Sequence, residues 1–268
     1  MGVTTTRRSI VRRGERRGDD LAVEAPLVLG LEGPDTGVLA TLMRTPGHDI
    51  ELAAGWLVVE SGVAATEDVV RLRACWEDDT ERVHITLAEG VRRPRARAFV
   101  TSAACGVCSA DVLDLAPLSR APASTPGWEV DADVLAALPD RMRAGQRTFA
   151  KTGGVHAAAI ATADGEILVQ REDVGRHNAV DKVVGRSLLD GRLPLTDHLL
   201  VVSGRVSFEI VQKAVAASVA GIVAVSAPTS LAVDLAREHG LLLAGMVRNG
   251  SLNVYAGEDR LRQLRSSG

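Results

Sequence analysis

Cys105 and Cys108, in the string Cys105-Gly106-Val107-Cys108, are the first residues whose type and spacing suit chemistry. A Cys-x-x-Cys pair serves as a redox dithiol, as half of a zinc site or as a sulfur-transfer loop, and spacing alone does not choose. Structural zinc needs four ligands, usually two such pairs or one pair with two close histidines. The third cysteine, Cys75, stands thirty residues before Cys105 and there is no second pair, so no metal is expected at this loop. A dithiol of thioredoxin type sits where a strand passes into a helix. Ser109-Ala110-Asp111-Val112-Leu113 allows such a helix, whereas the first 100 residues lack the βαβ pattern that fold requires. Sulfur transfer asks for one thiolate that accepts sulfur as a persulfide. A thiol pKa of about 8.5 falls when backbone N–H groups or cations surround it, and Gly106 permits so tight a backbone. A second thiol can then attack the persulfide, by the logic of disulfide exchange. Two buried, inert cysteines are the remaining reading; Ser102 and Ser109 flanking the pair speak against it.

A second group of polar residues falls where strands end. A strand over 198–203 closes in Ser203-Gly204-Arg205 before a helix. The next closes in Ser226-Ala227-Pro228-Thr229-Ser230, and a third runs into Met246-Val247-Arg248-Asn249-Gly250-Ser251. Free helix N–H groups, hydroxyls and arginines at the carboxyl ends of parallel strands are where open α/β sheets bind anions. Ser203-Gly204-Arg205 also reads as a capping turn, and Asn249-Gly250 as a plain hairpin turn. The segment Arg171-Glu172-Asp173-Val174-Gly175-Arg176-His177-Asn178 gathers polar side chains at a strand-to-helix junction, with His177 and Asp181 one turn apart on an exposed helix face. A histidine there can orient a ligand or move a proton, or simply form a solvated pair with Asp181. Lys151-Thr152-Gly153-Gly154 lacks the order of a P-loop.

The elements that must carry these residues follow from periodicity. From residue 155 the chain alternates: strands 155–162 and 166–171, helix 175–190, strand 198–203, helix 207–220, strand 221–226, helix 229–239 and strand 241–247. This order predicts an α/β domain around a largely parallel sheet. Ahead of it, Val38 to Met43 reads as a strand, Ile50 to Glu60 as a helix apolar nearly all round, and 69–75 and 82–88 as paired strands. A short strand at 98–101 leads into the cysteine loop, prolines 117, 122 and 126 mark a linker, and Asp131 to Ala144 reads as a helix kinked or ended at Pro139.

At 268 residues, two unequal domains are expected: a disordered arginine-rich leader over 1–20, a smaller α+β part over 21–115, and an α/β cofactor-binding domain over 128–268. Hydrophobic residues at 46% with 24% charge exclude disorder for most of the chain. A net charge of -3 gives no overall attraction to nucleic acid, leaving only Arg7, Arg8, Arg12, Arg13, Arg16 and Arg17 as a basic patch. No secretory signal and no run of 18 clean apolar residues is found, and three cysteines are too few for a disulfide framework. The expectation is a soluble, cytoplasmic protein, not bound to membrane or nucleic acid.

Lys151-Thr152-Gly153-Gly154-Val155-His156-Ala157-Ala158 and the string from Arg171 to Lys182 resemble the FdhD family of formate dehydrogenase accessory sulfurtransferases. Ser203 to Glu209, Ser226 to Ala232, Arg44-Thr45-Pro46-Gly47-His48-Asp49 and the cysteine loop are similar to it as well, over residues 24 to 257. The pattern departs at Met246, where the family commonly has an aromatic residue, and at Ser109, where it has glycine. The resemblance implies a cytidine-deaminase-like mixed sheet with flanking helices, a smaller N-terminal α+β part and a homodimer. It implies a sulfurtransferase that takes persulfide sulfur from a cysteine desulfurase and passes it to the bis-guanine-dinucleotide molybdenum cofactor for formate dehydrogenase, with GDP as a surrogate ligand. Carried over by position, Cys105 holds the persulfide and Cys108 assists. Met246, Val247, Arg248, Asn249, Gly250 and Ser251 would touch the cofactor, and the polar strand ends and junction add Ser203, Gly204, Arg205, His177, Asn178, Ser226 and Thr229 as cofactor-binding candidates. The alternatives are a non-catalytic cofactor chaperone and a dithiol oxidoreductase.

Overall fold

The computed structural model describes residues 2–33, 36–77, 79–94, 100–101 and 124–262. Its larger sheet has six strands in the order β13-β12-β11-β10-β8-β9. These are β8 (His156–Thr162), β9 (Ile167–Asp173), β10 (His198–Val202), β11 (Gly221–Ala224), β12 (Leu242–Arg248) and β13 (Ser251–Ala256). Only the β10–β11 and β11–β12 pairs are parallel; β8–β9, β8–β10 and β12–β13 are antiparallel. The sheet is therefore mixed, as the family resemblance implies, and not largely parallel as the alternation alone predicts. The difference arises from short turns joining β8 to β9 and β12 to β13, which reverse the chain without a crossover helix.

Period-two alternation divides the side chains of this sheet between two cores. Ala158, Ile160, Leu200 and Val202 enter one, and Ala157, Ala159, Leu199 and Val201 the other. The second core is closed by α2 (Ala132–Gly145) through Leu135, Leu138 and Met142. Pro139 sits within α2 without ending it. The first core is covered by α4 (Arg176–Leu189), α5 (Phe208–Ala216) and α6 (Ser230–Glu238).

The smaller sheet has the order β5-β6-β3-β4-β7. Its strands are β3 (Ala25–Leu31), β4 (Gly37–Arg44), β5 (Val69–Glu77), β6 (Thr80–Leu87) and β7 (Val100–Thr101). Between β4 and β5 runs α1 (Asp49–Ser61), buried along most of its length. It joins the two parts: Leu52 and Leu57 of α1, Leu29 and Ile85 of the small sheet and Val180 and Val183 of α4 belong to one continuous core. Contact at the crossing of α1 and α4 is backbone to backbone. A Cβ on Gly55 would stand 1.9 Å from the Asp181 carbonyl oxygen, and one on Gly185 would stand 1.8 Å from that of Glu51. Only glycine lets the axes come this close.

The leader over 1–20, expected to be disordered, instead lies largely in a hairpin of β1 (Thr5–Arg12) and β2 (Glu15–Ala22). Arg13 and Gly14 both have positive φ, 54° and 86°, as a two-residue type I′ turn requires. Arg7 faces Asp20 and Arg8 faces Asp19, so opposite charges pair across the ladder. The hairpin is specified by its turn and its cross-strand charges rather than by buried apolar area. A short helix, α3 (Arg147–Thr152), precedes β8.

Candidate functional site

One edge of the six-stranded sheet collects the predicted polar residues. There β9, β10, β11 and β12 end, and β8 and β13 begin. At the β8–β10 junction the Ala157 amide donates to Ser203 Oγ at 2.9 Å, and the Ser203 amide donates to the Ala157 carbonyl at 3.0 Å. Ser203 is thus pinned, and Gly204 and the exposed Arg205 project beyond it. A Cβ on Gly204 would lie 3.4 Å from His156 Nδ1 and 3.8 Å from Arg176 Cδ, so the loop lies against both side chains.

Val206 and Pro228 bridge in parallel, and the Thr229 amide donates to the Val206 carbonyl at 2.9 Å, tying the loops after β10 and β11 together. The Thr229 hydroxyl caps α6 by accepting from the Ala232 amide at 3.4 Å. The Met246 amide donates to the Ser226 carbonyl at 3.1 Å, with Met246 in the left-handed region at φ 55°. That conformation coincides with the register shift between Gly245 and Arg248, the bulge that turns β12 toward the hairpin tip. Asn249 and Gly250 form the tip, with φ 52° and 73°, so a two-residue turn is what the pair builds. Arg248, Asn249, Gly250 and Ser251 are exposed, whereas Val247 turns into the core at 0% exposure. Ser203, Gly204, Arg205, Ser226, Thr229 and Met246 share this edge with His177.

The junction of β9 and α4 serves two purposes. Asp173, fully buried, accepts from the Gly175 amide at 2.8 Å and from Asn178 Nδ2 at 3.0 Å through one oxygen. Its other oxygen accepts from the Thr45 amide at 3.1 Å and from Lys182 Nζ at 2.6 Å. Lys182 also donates to the Thr45 carbonyl at 2.8 Å, Asn178 to the Met43 carbonyl at 2.8 Å, and the Val174 amide to the Thr45 hydroxyl at 3.0 Å. The segment after β4 is thereby bolted to the start of α4. Asn178, predicted to touch a ligand, has its amide nitrogen committed to this joint.

Nearby, Arg171 grips Glu51 with two bonds of 2.6 and 2.8 Å, and His48 Nδ1 lies 3.2 Å from Glu51. Burial raises the Glu51 pKa, but the bonds from Arg171 and His48 more than reverse it and hold the carboxyl at about 2. Arg44, fully buried, bonds Asp49 at 2.8 Å and also meets Glu81 and the Ala25 carbonyl. Much of the string Arg44 to Asp49 and of Arg171 to Lys182 is therefore architecture.

What remains free for a ligand is cationic. The exposed face expected for His177 and Asp181, and with it the alternative of a solvated pair between them, is corrected: Asp181 is 3% exposed and binds Lys213 at 2.6 Å from α5. A buried carboxylate needs a buried cation, and that need decides which way the side chain turns. His177 Nε2 instead lies 2.8 Å from Glu209 Oε2, and 3.5 Å from Ser207 Oγ, at the start of α5. Burial raises the Glu209 pKa, yet the hydrogen bond from His177 and the charges of His177, Lys213 and Arg176 leave it below the ordinary carboxylate range. His156 is pushed the other way, downward, first by burial and then by Arg176 and His177, with Arg205 adding to this and Asp173 opposing it; these favour the neutral form of the imidazole. Arg176 Nε is buried and has no hydrogen-bond partner among the described residues. An unsatisfied guanidinium nitrogen on a side chain that, with His156, lies against Gly204 suits an anion. His156, Arg176 and Glu209 were not singled out from the sequence; their signal was only their place inside strings read for other reasons.

Cys105 and Cys108 lie outside the described residues. The last described residue before them, Thr101, ends β7, which runs parallel to β4 with Thr101 opposite Leu42. Both strands head for the end of the small sheet where Thr45 meets Asp173.

Proteins named sulfur carrier protein FdhD from Nocardia farcinica and Streptomyces coelicolor are each 48% identical to the chain. They cover 98% and 97% of it, and 97% of their own length is matched. The crystal structure of a candidate formate dehydrogenase accessory protein from Desulfotalea psychrophila shares the fold with a TM-score of 0.74 at 22% identity, covering 96% of this chain and 98% of that one. The FdhD/NarQ family matches residues 22–262, and with relatives this close over nearly its whole length the chain belongs to that family.

Proposed function

We propose that the chain is a sulfur carrier. Cys105 accepts persulfide sulfur from a cysteine desulfurase, and the sulfur goes on to a bis-guanine-dinucleotide molybdenum cofactor held as substrate at the polar edge of the six-stranded sheet, for use by formate dehydrogenase. The observation that carries the reading is the Cys105-Gly106-Val107-Cys108 loop in a chain matched end to end by relatives named sulfur carrier proteins. The course of β7 supports it. That strand, which precedes the cysteine loop in sequence, runs parallel to β4, whose following residue Thr45 bonds Asp173.

The chemistry divides between the two regions. The Cys105 thiolate attacks the outer sulfur of the donor's persulfide, and the donor cysteine leaves as a thiolate. Cys108 then attacks the inner sulfur of the Cys105 persulfide, expelling hydrosulfide and leaving a Cys105–Cys108 disulfide that an external thiol reduces. At the sheet edge, Arg176, Arg205 and Arg248 offer guanidinium donors to phosphate oxygens, and the bulge at Met246 and the glycines at 204 and 250 let a nucleotide approach the backbone. His156, whose surroundings favour its neutral form, can hydrogen-bond a base or a phosphate through its ring.

Restoring formate dehydrogenase activity in cells lacking their own copy of the gene tests this reading. Wild type restores it and Cys105→Ala does not. Full restoration by Cys105→Ala leaves a cofactor chaperone as the function. A homodimer belongs to the same proposal, and a monomeric mass by light scattering contradicts it.

A further inference from the structure

The hairpin of β5 and β6 carries a cluster that sulfur transfer does not use. Cys75 and Glu77 lie two residues apart on β5, so both point to one face of the small sheet, and His84 of β6 is on that face, opposite Arg73. Cys75 Sγ lies 3.2 Å from Glu77 Oε1, and His84 Nε2 lies 3.0 Å from the same oxygen. All three donor atoms fall within 4.8 Å of one another, at half-buried positions.

The other nitrogen of the imidazole is the second observation. His84 Nδ1 lies 3.2 Å from Glu32 Oε1, just beyond β3. Glu32 is itself held by Arg73 at 3.2 Å and by the Thr86 hydroxyl at 3.4 Å. A metal-binding histidine almost always gives its second ring N–H to a carboxylate, a backbone carbonyl or water, which fixes the tautomer and the ring plane. Glu32 faces Nδ1 as that outer partner would, and Nε2, 3.0 Å from Glu77 Oε1, is the nitrogen turned toward Cys75 and Glu77 that gives up any proton it carries when it takes a metal.

We propose that Cys75 Sγ, Glu77 Oε1 and His84 Nε2 are the three protein ligands of a site for a thiophilic divalent cation of zinc type, with Glu32 orienting His84 and the fourth position open to solvent. Sulfur, imidazole and carboxylate together are a borderline donor set, suited to zinc rather than to calcium or magnesium. With bonds of about 2.0–2.3 Å a tetrahedral ion needs its ligands about 3.3–3.7 Å apart, so the two contacts to Glu77 Oε1, at 3.2 and 3.0 Å, open by a few tenths of an ångström, and the sulfur and Nε2 already lie within 4.8 Å. The Cys75 thiol passes its proton to solvent as the sulfur takes the metal. Arg82 Nε stands 4.0 Å from Glu77 Oε2 and Arg73 stays on Glu32, so the two guanidiniums offset the two carboxylates and the thiolate supplies the remaining negative charge.

Cobalt(II) absorption on the full chain tests the site, with Cys105→Ala and Cys108→Ala as background so that no other pair of thiols can bind. One equivalent of cobalt is expected to give a sulfur-to-cobalt charge-transfer band that zinc then displaces. Adding Cys75→Ser abolishes the band, and His84→Ala weakens zinc binding at least about 100-fold in competition with a chromophoric chelator. Glu32→Gln weakens it about 10–100-fold while keeping the band, as an outer-sphere partner should. Unchanged circular dichroism shows that each variant is folded. Absence of the band in the background chain, or zinc affinity indifferent to both Cys75→Ser and His84→Ala, overturns the proposal.

Discussion

Lys182 Nζ lies 2.6 Å from Asp173 Oδ2, and their side chains are 1% and 0% exposed. The pair sits where the segment after β4 meets the first turn of α4, and both partners also bond Thr45. Removing one partner strands the other's charge in the interior. Lys182→Met should therefore cost about 3–5 kcal/mol, read as a lower urea midpoint. A loss below about 1 kcal/mol would mean that the joint holds without its ion pair.

The crossing of α1 and α4 gives a second test of architecture. A methyl group at Gly55 or Gly185 meets backbone atoms within 2 Å, and backbone cannot swing aside as a flexible side chain can. Gly185→Ala should destabilise by about 3 kcal/mol or more, at or above the upper end for overpacking, by forcing the helices apart. Thermal unfolding of the two single variants is the measurement, and a change of less than about 1 kcal/mol would contradict so close a crossing.

Glu51 ties α1 to β9 through Arg171, and its pKa is depressed to about 2 from an ordinary 4.5. A depressed carboxyl stabilises the fold fully above its unfolded pKa, and that contribution disappears as pH falls toward the folded value. The stability gap between wild type and Glu51→Gln should be constant from pH 7 to about pH 5 and then shrink progressively toward pH 2. Urea midpoints at several pH values report it; a gap that widens on acidification reverses the sign and excludes the assignment.

At the sheet edge, Arg176→Gln and Arg248→Ala should each weaken GDP binding by about 1.5–3 kcal/mol, the range for hydrogen bonds to charged groups. Asn178→Ala should show its effect in stability instead, since its amide nitrogen already serves Met43 and Asp173. Calorimetric titration separates the cases. GDP affinity unchanged by both arginine variants would remove this edge as the nucleotide site.

Periodicity revealed most of the helices and strands in advance, because apolar side chains at intervals of two or about 3.6 reflect which face must be buried. The buried α1 and the stripe Ala179, Val180, Val183, Val184 and Leu188 of α4 are examples. What periodicity does not reveal is partnership over long separations. His177 and Asp181 stand one turn apart in sequence, yet the first pairs with Glu209 and the second with Lys213. The hairpin of β1 and β2 was hidden for another reason, since its alternating charges bury little and resemble a solvated tail. Antiparallel reversals within the large sheet depend on turns such as Asn249-Gly250, which is legible as a hairpin turn but does not enter a count of helix–strand alternation.

The central claim rests on Cys105, and the intact mass of the purified chain after incubation with a cysteine desulfurase and cysteine tests it most directly. The wild type should gain the mass of about one sulfur atom, removable by reductant, and Cys105→Ala should gain none, because only a thiolate can take sulfur as a persulfide. A wild-type chain that gains nothing, or a Cys105→Ala chain that gains as much as the wild type, would contradict the account.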